Sequence, residues 1–142
     1  MSPKRKRLLL VGGGIVLLIL VATAPLMLRG WRQKKSFDNF FKEYSSALVQ
    51  GDFRQAYETA GTEFRNATTF DEFLQQHQTL AIERGKLISV RQGRTIVDGT
   101  GSPLAWVAVT TAALNFNHGS VNVTYEFHSD GSAWRLYGFR RD

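Results

Sequence analysis

The chain has 142 residues, with 18 basic and 12 acidic side chains, a formal net charge of +6 and no cysteine. The lack of cysteine excludes a disulfide framework, a thiolate metal site and a cysteine nucleophile. Eight of the basic residues and none of the acidic ones lie before residue 36, so residues 36–142 carry a net charge of −2. The basicity therefore belongs to the N-terminal segment, and we expect no nucleic-acid partner.

The first 35 residues have the pattern of a membrane anchor. Residues 1–7 form a basic flank, residues 8–28 an uncharged run rich in Leu, Ile and Val, and residues 29–35 a second basic linker. As a helix, the apolar run spans roughly 30 Å, the thickness of the hydrocarbon core of a bilayer. The flanking side chains expected at the lipid surface are Lys4, Arg5, Lys6, Arg7, Trp31 and Arg32.

A cleaved signal peptide is the alternative interpretation of this segment. Ala22-Thr23-Ala24 matches the small-residue cleavage pattern, but Pro25 follows it directly and disfavours cleavage. The compact basic cluster at the N-terminus favours a cytoplasmic location for that end. We therefore predict a single-pass protein of the cytoplasmic (inner) membrane, with residues 36–142 on the extracytoplasmic side.

Residues 36–60 are predicted to form two helices on which the rest of the domain packs. Gly51 is expected to end the first helix, and Asp52 to cap the second. The first helix carries apolar side chains at helical spacing on one face, namely Phe37, Phe40, Phe41, Tyr44 and Leu48.

The remaining chain changes from a helical to a strand period. An irregular link over residues 61–68 precedes a third helix, opened by a capping box of Thr69 and Glu72 and ended by Gly85. Alternating apolar and polar residues joined by short turns then predict four antiparallel strands. These strands are predicted over residues 86–97, 104–116, 121–128 and 133–140. Residues 36–142 are thus expected to form one α+β domain with three helices packed on a four-stranded sheet.

Three stretches in this order resemble the nuclear transport factor 2-like superfamily, the cystatin-like α+β cone. They are the helix-Gly-Asp-helix phrase ALVQGDFRQAYE, the helix opening TTFDEF and the final turn and strand DGSAWRLYGF. The resemblance covers residues 37–139, and the first of these phrases resembles a recurrent opening of the small bacterial members. It implies a strongly curved sheet around the long first helix, with a pocket at the open end. It does not imply one activity, because this fold hosts isomerases, dehydratases, cyclases, transport factors and non-catalytic partners.

Four side chains are candidates for lining such a pocket: Tyr44, Tyr57, His77 and Tyr125. His77 lies on the apolar stripe of the third helix, where it is either a pocket acid or base or a core-edge histidine bonded to a backbone carbonyl. The tyrosines either point their hydroxyls inward or pack as core residues. We find no paired carboxylates and no common spacing among the three histidines, so we expect no catalytic residue, no metal site and no cofactor.

Two sets of residues on the predicted strands are candidates for surface roles. Glu126 and His128 share one strand face and are either a proton-handling pair or solvated surface. The second strand is apolar on both faces, so the face bearing Val107, Val109 and Thr111 is predicted either to meet a partner or a second copy, or to be shielded by neighbouring side chains.

The sequence thus favours a membrane-anchored, non-catalytic binding or accessory module of a larger membrane complex. The expected partners are the lipid bilayer, other membrane proteins or a second copy of the chain. One alternative is a small-molecule binding protein, or an isomerase- or dehydratase-like enzyme, with a small apolar ligand in the pocket. The other is a structural homodimer held through the sheet face.

Overall fold

The structure is a computed structural model that describes residues 3–101 and 104–142. The side chains of residues 3–18 and 20 are not among those described, so most of the predicted span 8–28 and the flank Lys4 to Arg7 lie outside the described side chains. Ser102 and Pro103 of the predicted turn before the second strand also lie outside. The elements are α1 (Pro3–Gln50), α2 (Phe53–Glu58), α3 (Thr62–Ala67), α4 (Phe70–Arg84), β1 (Leu87–Thr100), β2 (Ala105–Phe116), β3 (Gly119–Ser129) and β4 (Trp134–Arg141).

The chain divides between Arg32 and Gln33 into two compact units. The first unit is helical, and Thr23 Oγ1 donates a hydrogen bond of 2.9 Å to the carbonyl oxygen of Ile19 within it. The described part of the chain contains no helix with the length and hydropathy needed to cross a membrane. The large apolar side chains described in this unit are exposed: Ile19, Val21, Leu26, Met27, Leu28 and Trp31.

The second unit is an α+β domain with a four-stranded antiparallel sheet, which confirms the predicted fold class. The strand order is β1-β2-β3-β4, so each strand pairs with its neighbour in the sequence. The alternating pattern placed the strands well, although β1 continues to Thr100 through residues that we expected to turn. Short connections make this order possible, because antiparallel neighbours need no crossover.

The helix ends follow the local sequence. Gly51 has a positive φ of 76° and ends α1, and Asp52 accepts a hydrogen bond from the backbone amide of Gln55 at the start of α2. At the start of α4, Thr69 and Glu72 form the predicted capping box, in which each side chain accepts a hydrogen bond from the backbone amide of the other residue. These three predictions are confirmed.

We expected an irregular link over residues 61–68. This prediction is wrong for the central part, which forms the short helix α3. Gly61 is the N-cap residue, but no side chain caps the helix. Phe64 is buried, and its ring lies 6.2 Å from that of Phe73 and 6.1 Å from that of Phe139. Burial of this one ring stabilises a helix that six residues alone would not form.

The core lies between α1 and the face of the sheet that carries Ala108, Leu114, Tyr125 and Phe127, which we call the core face. The opposite face, which carries Val107, Val109 and Thr111, is the outer face. Aromatic rings from α1 and β3 pack against each other in the centre of the core, with most neighbouring ring planes tilted or near-perpendicular. Such arrangements are those that aromatic side chains favour. The fully buried large side chains include Phe37, Phe41, Phe73, Tyr125, Phe127, Leu48, Leu114 and Leu136.

Candidate functional site

A cavity of about 230 Å³ opens beside His77, where the ends of several elements of the domain meet. The C-terminal end of α1, the first residue of α2, the second half of α4, the start of β1 and the end of β2 all contribute to it. We call it the His77 pocket. It is lined by Leu48, Val49, Gln50, Gly51, Phe53, His77, Leu80, Ala81, Lys86, Leu87, Leu114 and Phe116.

Backbone contacts hold this end of the domain together. The helix α4 ends at Gly85, which has a positive φ of 81°. Immediately around it, the amide of His118 donates to the carbonyl of Arg84 (2.9 Å) and the amide of Asn117 donates to the carbonyl of Lys86 (3.1 Å). The turn between β2 and β3 is thereby fastened to the end of α4, which fixes the position of the pocket wall.

His77 is the most buried polar residue of the lining, with 7% of its surface exposed. Its Nδ1 lies 2.8 Å from the carbonyl oxygen of Phe73. Because a carbonyl can only accept, Nδ1 carries the proton, and the neutral ring keeps Nε2 as an acceptor. The contact with Phe73 is the side-chain hydrogen bond that the structure gives His77 among the described residues. The ring itself packs on that of Phe73, with 4.4 Å between ring centres.

Burial lowers the pKa of His77, and the hydrogen bond to the Phe73 carbonyl opposes that shift only in part. The imidazole is therefore neutral at pH 7. The backbone-bonded, core-edge interpretation describes the Nδ1 side of this ring, whereas Nε2 has no hydrogen-bond partner among the described residues. No carboxylate and no hydroxyl lines the pocket, and Lys86 is the other ionisable residue of its lining.

The three candidate tyrosines do not line the His77 pocket. Tyr44 and Tyr125 are buried in the aromatic core with 5.7 Å between their ring centres. Burial raises the pKa of both hydroxyls, and for Tyr44 the proximity of Tyr125 adds to the shift. Tyr44 Oη is buried without a hydrogen-bond partner among the described residues. Tyr57 is half-buried, and its hydroxyl donates a hydrogen bond of 2.8 Å to the carbonyl of Thr68.

On the outer face, Val109 and Thr111 are exposed and Val107 is half-buried. In the paired register, Ile96 of β1 lies beside Val109 and is 49% exposed. Together with Tyr137 of β4, these side chains leave apolar surface on the outer face of the sheet. No described helix of the domain covers this face, because the buried contacts of the helices are with the core face.

Glu126 and His128 also lie on the outer face, where Glu126 Oε1 is 2.6 Å from His128 Nε2. The ring of Tyr137 stacks on His128 with a centre-to-centre distance of 3.8 Å and an angle of 5° between the planes. A register shift between Glu126 and Phe127 places Tyr137 at this point in β4. The sequence indicated the Glu126–His128 pair but not the stacked tyrosine, because the shift has no signal in the alternation pattern.

A polar chain that the sequence analysis missed joins α1 to the sheet. Gln92 Nε2 donates to Asp38 Oδ1 (3.0 Å) and to Thr95 Oγ1 (2.8 Å), and Thr95 Oγ1 is 2.7 Å from Thr110 Oγ1. Lys34 Nζ pairs with the other oxygen of Asp38 at 2.8 Å. Thr110 is fully buried on the core face, so its place in an otherwise apolar alternation was the available signal. These contacts occupy both oxygens of the Asp38 carboxylate, so we assign Asp38 a structural role.

A second opening of about 500 Å³ lies between α1 and the first half of β1. Its lining is mixed, with Phe41, Val49, Ile88 and Val90 beside polar residues that include Asp38 and Gln92 of the polar chain. Among groups of described residues, none brings together three side chains able to hold a metal ion. A scan of the chain against protein-family models finds no match, and a search of curated protein sequences finds no relative.

Proposed function

We infer that the chain is a single-pass membrane protein of the inner membrane whose domain is a non-catalytic binding module on the extracytoplasmic side. The observation that carries this proposal is the run of exposed apolar side chains between Ile19 and Trp31, in the helical unit that precedes the domain. Apolar side chains of this size are exposed to water at an energetic cost unless lipid or a partner covers them. Their position at the end of the uncharged run 8–28 is that of an anchor.

The domain itself supports binding over chemistry. Its largely apolar pocket is lined by one neutral histidine and by Lys86, and no hydrogen bond between described residues joins the two side chains, whereas catalysis by proton transfer needs such groups in mutual reach. The outer face of the sheet instead exposes apolar side chains to solvent, Val109 with 37% and Ile96 with 49% of their surface. A surface of this kind suits another protein of the same membrane, and the module would then be a subunit or assembly partner of a larger complex.

The fold proposed for the domain is the nuclear transport factor 2-like cone. Its support is the order of the elements, in which the shorter helices follow α1 in the sequence and precede an antiparallel meander of four strands. The part of α1 within the domain packs on this sheet. The register shifts in β1 and β4 favour bending of the sheet, because bulges increase local twist. The fold alone assigns no activity.

The anchor is tested by washing membranes that contain the full chain with alkaline carbonate. We expect the protein to stay with the membrane pellet. Replacing Leu26 and Leu28 with Asp should release it, because charged side chains inside a bilayer are strongly unfavourable. The matched control replaces Ile82, which is 87% exposed on α4, with Asp. Release of the unaltered chain by the wash would contradict the anchor.

The binding face is tested with a pair of variants in the full chain. Val109→Glu places a charge on the outer face, and Ile82→Glu places the same charge on an exposed apolar position of α4. After gentle extraction, we expect the first variant to lose protein companions and the second to retain them, with both domains folded by circular dichroism. Equal retention by both variants would contradict binding through the outer face.

A second candidate function is the binding of a small apolar molecule in the His77 pocket. A dry cavity of about 150 Å³ is known to hold benzene, so the larger volume here leaves room for a small aromatic or aliphatic ligand. The free Nε2 of His77 favours a ligand with one hydrogen-bond donor. An isomerase- or dehydratase-like enzyme would need Lys86, which also lines the pocket, to act as acid or base together with His77.

The ligand candidate is tested by calorimetric titration of the full chain with phenol and with toluene. We expect phenol to bind more tightly, and the His77→Leu variant to lose that preference, since leucine offers no acceptor. Leu80→Phe, which fills the cavity, should abolish binding of both probes. Absence of binding by both probes to the unaltered chain would remove this candidate.

A further inference from the structure

The two edges of the sheet differ in how they are covered. At the β4 edge, the amide of Leu136 donates to the carbonyl of Thr59 (3.0 Å), and the amide of Gly61 donates to the carbonyl of Leu136 (2.8 Å). The outer edge of β1 pairs with no strand among the described residues. Unpaired backbone donors and acceptors along an edge strand are a template for another strand, so the β1 edge is the place where the sheet can be extended.

The first half of β1 is irregular, whereas its second half is regular. Register shifts occur between Leu87 and Ser89 and between Gln92 and Thr95. At the second shift, a Cβ atom added to Gly93 would lie only 2.5 Å from Thr111 Oγ1, so the close approach of the two strands requires glycine there. Beyond it, Thr95–Thr100 pairs with β2 without interruption. Bulges protect an edge against pairing, so the edge from Arg94, the last residue of the bulge, to Thr100 is the part that is open to a second strand.

The exposed side chains around this stretch include one basic, one apolar and one acidic residue in sequence order. Ile96 and Asp98 pair with Val109 and Val107 of the outer face, and Arg94 lies at the bulge beside Thr111. All three are exposed, and neither Arg94 nor Asp98 forms an ion pair with another described residue. Arg94 thus lies two residues before the exposed Ile96 and Asp98 two residues after it, along an edge that pairs with no described strand.

We propose that the β1 edge pairs antiparallel with β1 of a second copy of this chain, about a two-fold axis at Ile96. In this register Ile96 lies against Ile96 of the partner subunit, and Arg94 of each copy lies against Asp98 of the partner subunit. A centre at Arg94 or at Asp98 would instead oppose like charges. If the two-fold axis lay at residue 95 or 97 instead, Arg94 or Asp98 would lie directly against Ile96 of the partner subunit. Among these registers, the one centred at Ile96 opposes Arg94 and Asp98 as opposite charges, in a ladder that runs from Arg94 to Asp98.

The pairing joins two four-stranded sheets into one of eight strands. It uses the edge, so it differs from a homodimer through the outer face, and it leaves that face of both copies on the same side. It goes beyond the proposed function and does not depend on it, because copies can pair whether or not the outer face binds another protein. A failure of the tests below would leave the results for the anchor and for Val109 unaffected.

The absence of cysteine from the chain makes single-cysteine probes direct. Directly opposed residues of antiparallel strands have Cα atoms about 4.5 to 5.5 Å apart, which suits a disulfide. The full chain with Ile96→Cys, oxidised mildly in its own membrane, is expected to form a covalent dimer. Val109→Cys and Arg91→Cys, one strand away and five residues away, should not. A dimer through Val109→Cys without one through Ile96→Cys would overturn the proposal, as would the absence of any cross-link.

Charge exchange tests the register by a second measurement, the dimer dissociation constant of the full chain in detergent from sedimentation equilibrium. Arg94→Asp and Asp98→Arg alone each oppose like charges twice, so each should weaken the dimer by about tenfold. The double variant R94D/D98R restores both pairs and should recover the unaltered affinity. Arg91→Asp, the same change outside the paired stretch, should have little effect. A double variant no tighter than the single ones, or an unaltered chain that is monomeric, would overturn the proposal.

Discussion

The aromatic core and the His77 pocket are built by the same helix and the same sheet, yet one is filled and the other is open. In the core, rings of α1 lie 5.3 to 6.0 Å, centre to centre, from rings of β3. At the pocket, the lining combines Phe53 and Phe116 with leucine, alanine, histidine and glycine, and about 230 Å³ remains. The arrangement of the side chains therefore decides which part of this domain provides stability and which part has room for a ligand.

The largest effect is expected from truncating the centre of the core. Phe127 is fully buried, and its ring lies 5.3 to 6.0 Å from those of Phe37, Phe40, Phe41, Tyr44 and Tyr125. Phe127→Ala should lower the free energy of unfolding by about 4 kcal/mol, because the rigid rings around it cannot close the space. Leu80→Ala, at the pocket, should cost about half of that or less, since its side chain is already half-exposed.

Chemical denaturation of the two variants measures this difference. Equal losses of stability would contradict the distinction between a filled core and an open pocket.

A smaller effect is expected at the bulge of β1. Gly93→Ala should destabilise the domain by about 2 kcal/mol, because the added methyl group would overlap Thr111 Oγ1. Adding Thr111→Ala should recover part of the loss, since it removes the overlapping hydroxyl. Thermal unfolding of the two single variants and the double variant gives the coupling energy between residues 93 and 111. If the losses of stability are strictly additive, the close contact between the two residues is contradicted.

Two hydroxyls that differ only in their partners provide a finer comparison. Tyr44→Phe should raise the free energy of unfolding by about 1 kcal/mol, because it removes a buried hydroxyl without a partner among the described residues. Tyr57→Phe should lower it by about 1 kcal/mol, because it breaks the bond to the Thr68 carbonyl. Denaturation curves that shift in the same direction would show that the Tyr44 hydroxyl is satisfied in solution.

The smallest expected effect is the pH dependence contributed by His77. Burial lowers its pKa below the ordinary value of 6.5, so the unfolded chain takes up a proton before the folded one does. The contribution to stability is therefore complete above pH 6.5 and falls as the pH drops from there towards the folded-state pKa. His77→Leu should flatten the curve of stability against pH in this window. If the free energies of unfolding of the two proteins differ by the same amount at every pH in this window, a buried neutral His77 is contradicted.

How far the sequence predicts this molecule depends on whether a residue follows a local rule. Val121, Val123, Tyr125 and Phe127 alternate with polar residues, and all four are buried on the core face as that pattern requires. The caps at Asp52 and Thr69 are equally local and equally predictable.

The bulge beside Gly93 and the shift that brings Tyr137 onto His128 are tertiary in origin, and the alternation pattern carries no trace of them. The same holds for the pocket. His77 was recognisable from its place on an apolar stripe, but the positions of the tyrosines depend on how α1 packs on β3. Sequence spacing alone does not separate a tyrosine in the core from one at a cavity.

The measurement that tests the central claim most directly is native mass spectrometry of the full chain, gently extracted from its own membrane. The claim is that the domain acts by binding other proteins from a membrane anchor. We predict an assembly that contains a protein other than this chain, with or without a second copy. A single chain without any companion, or one that carries only a small molecule, would contradict the claim.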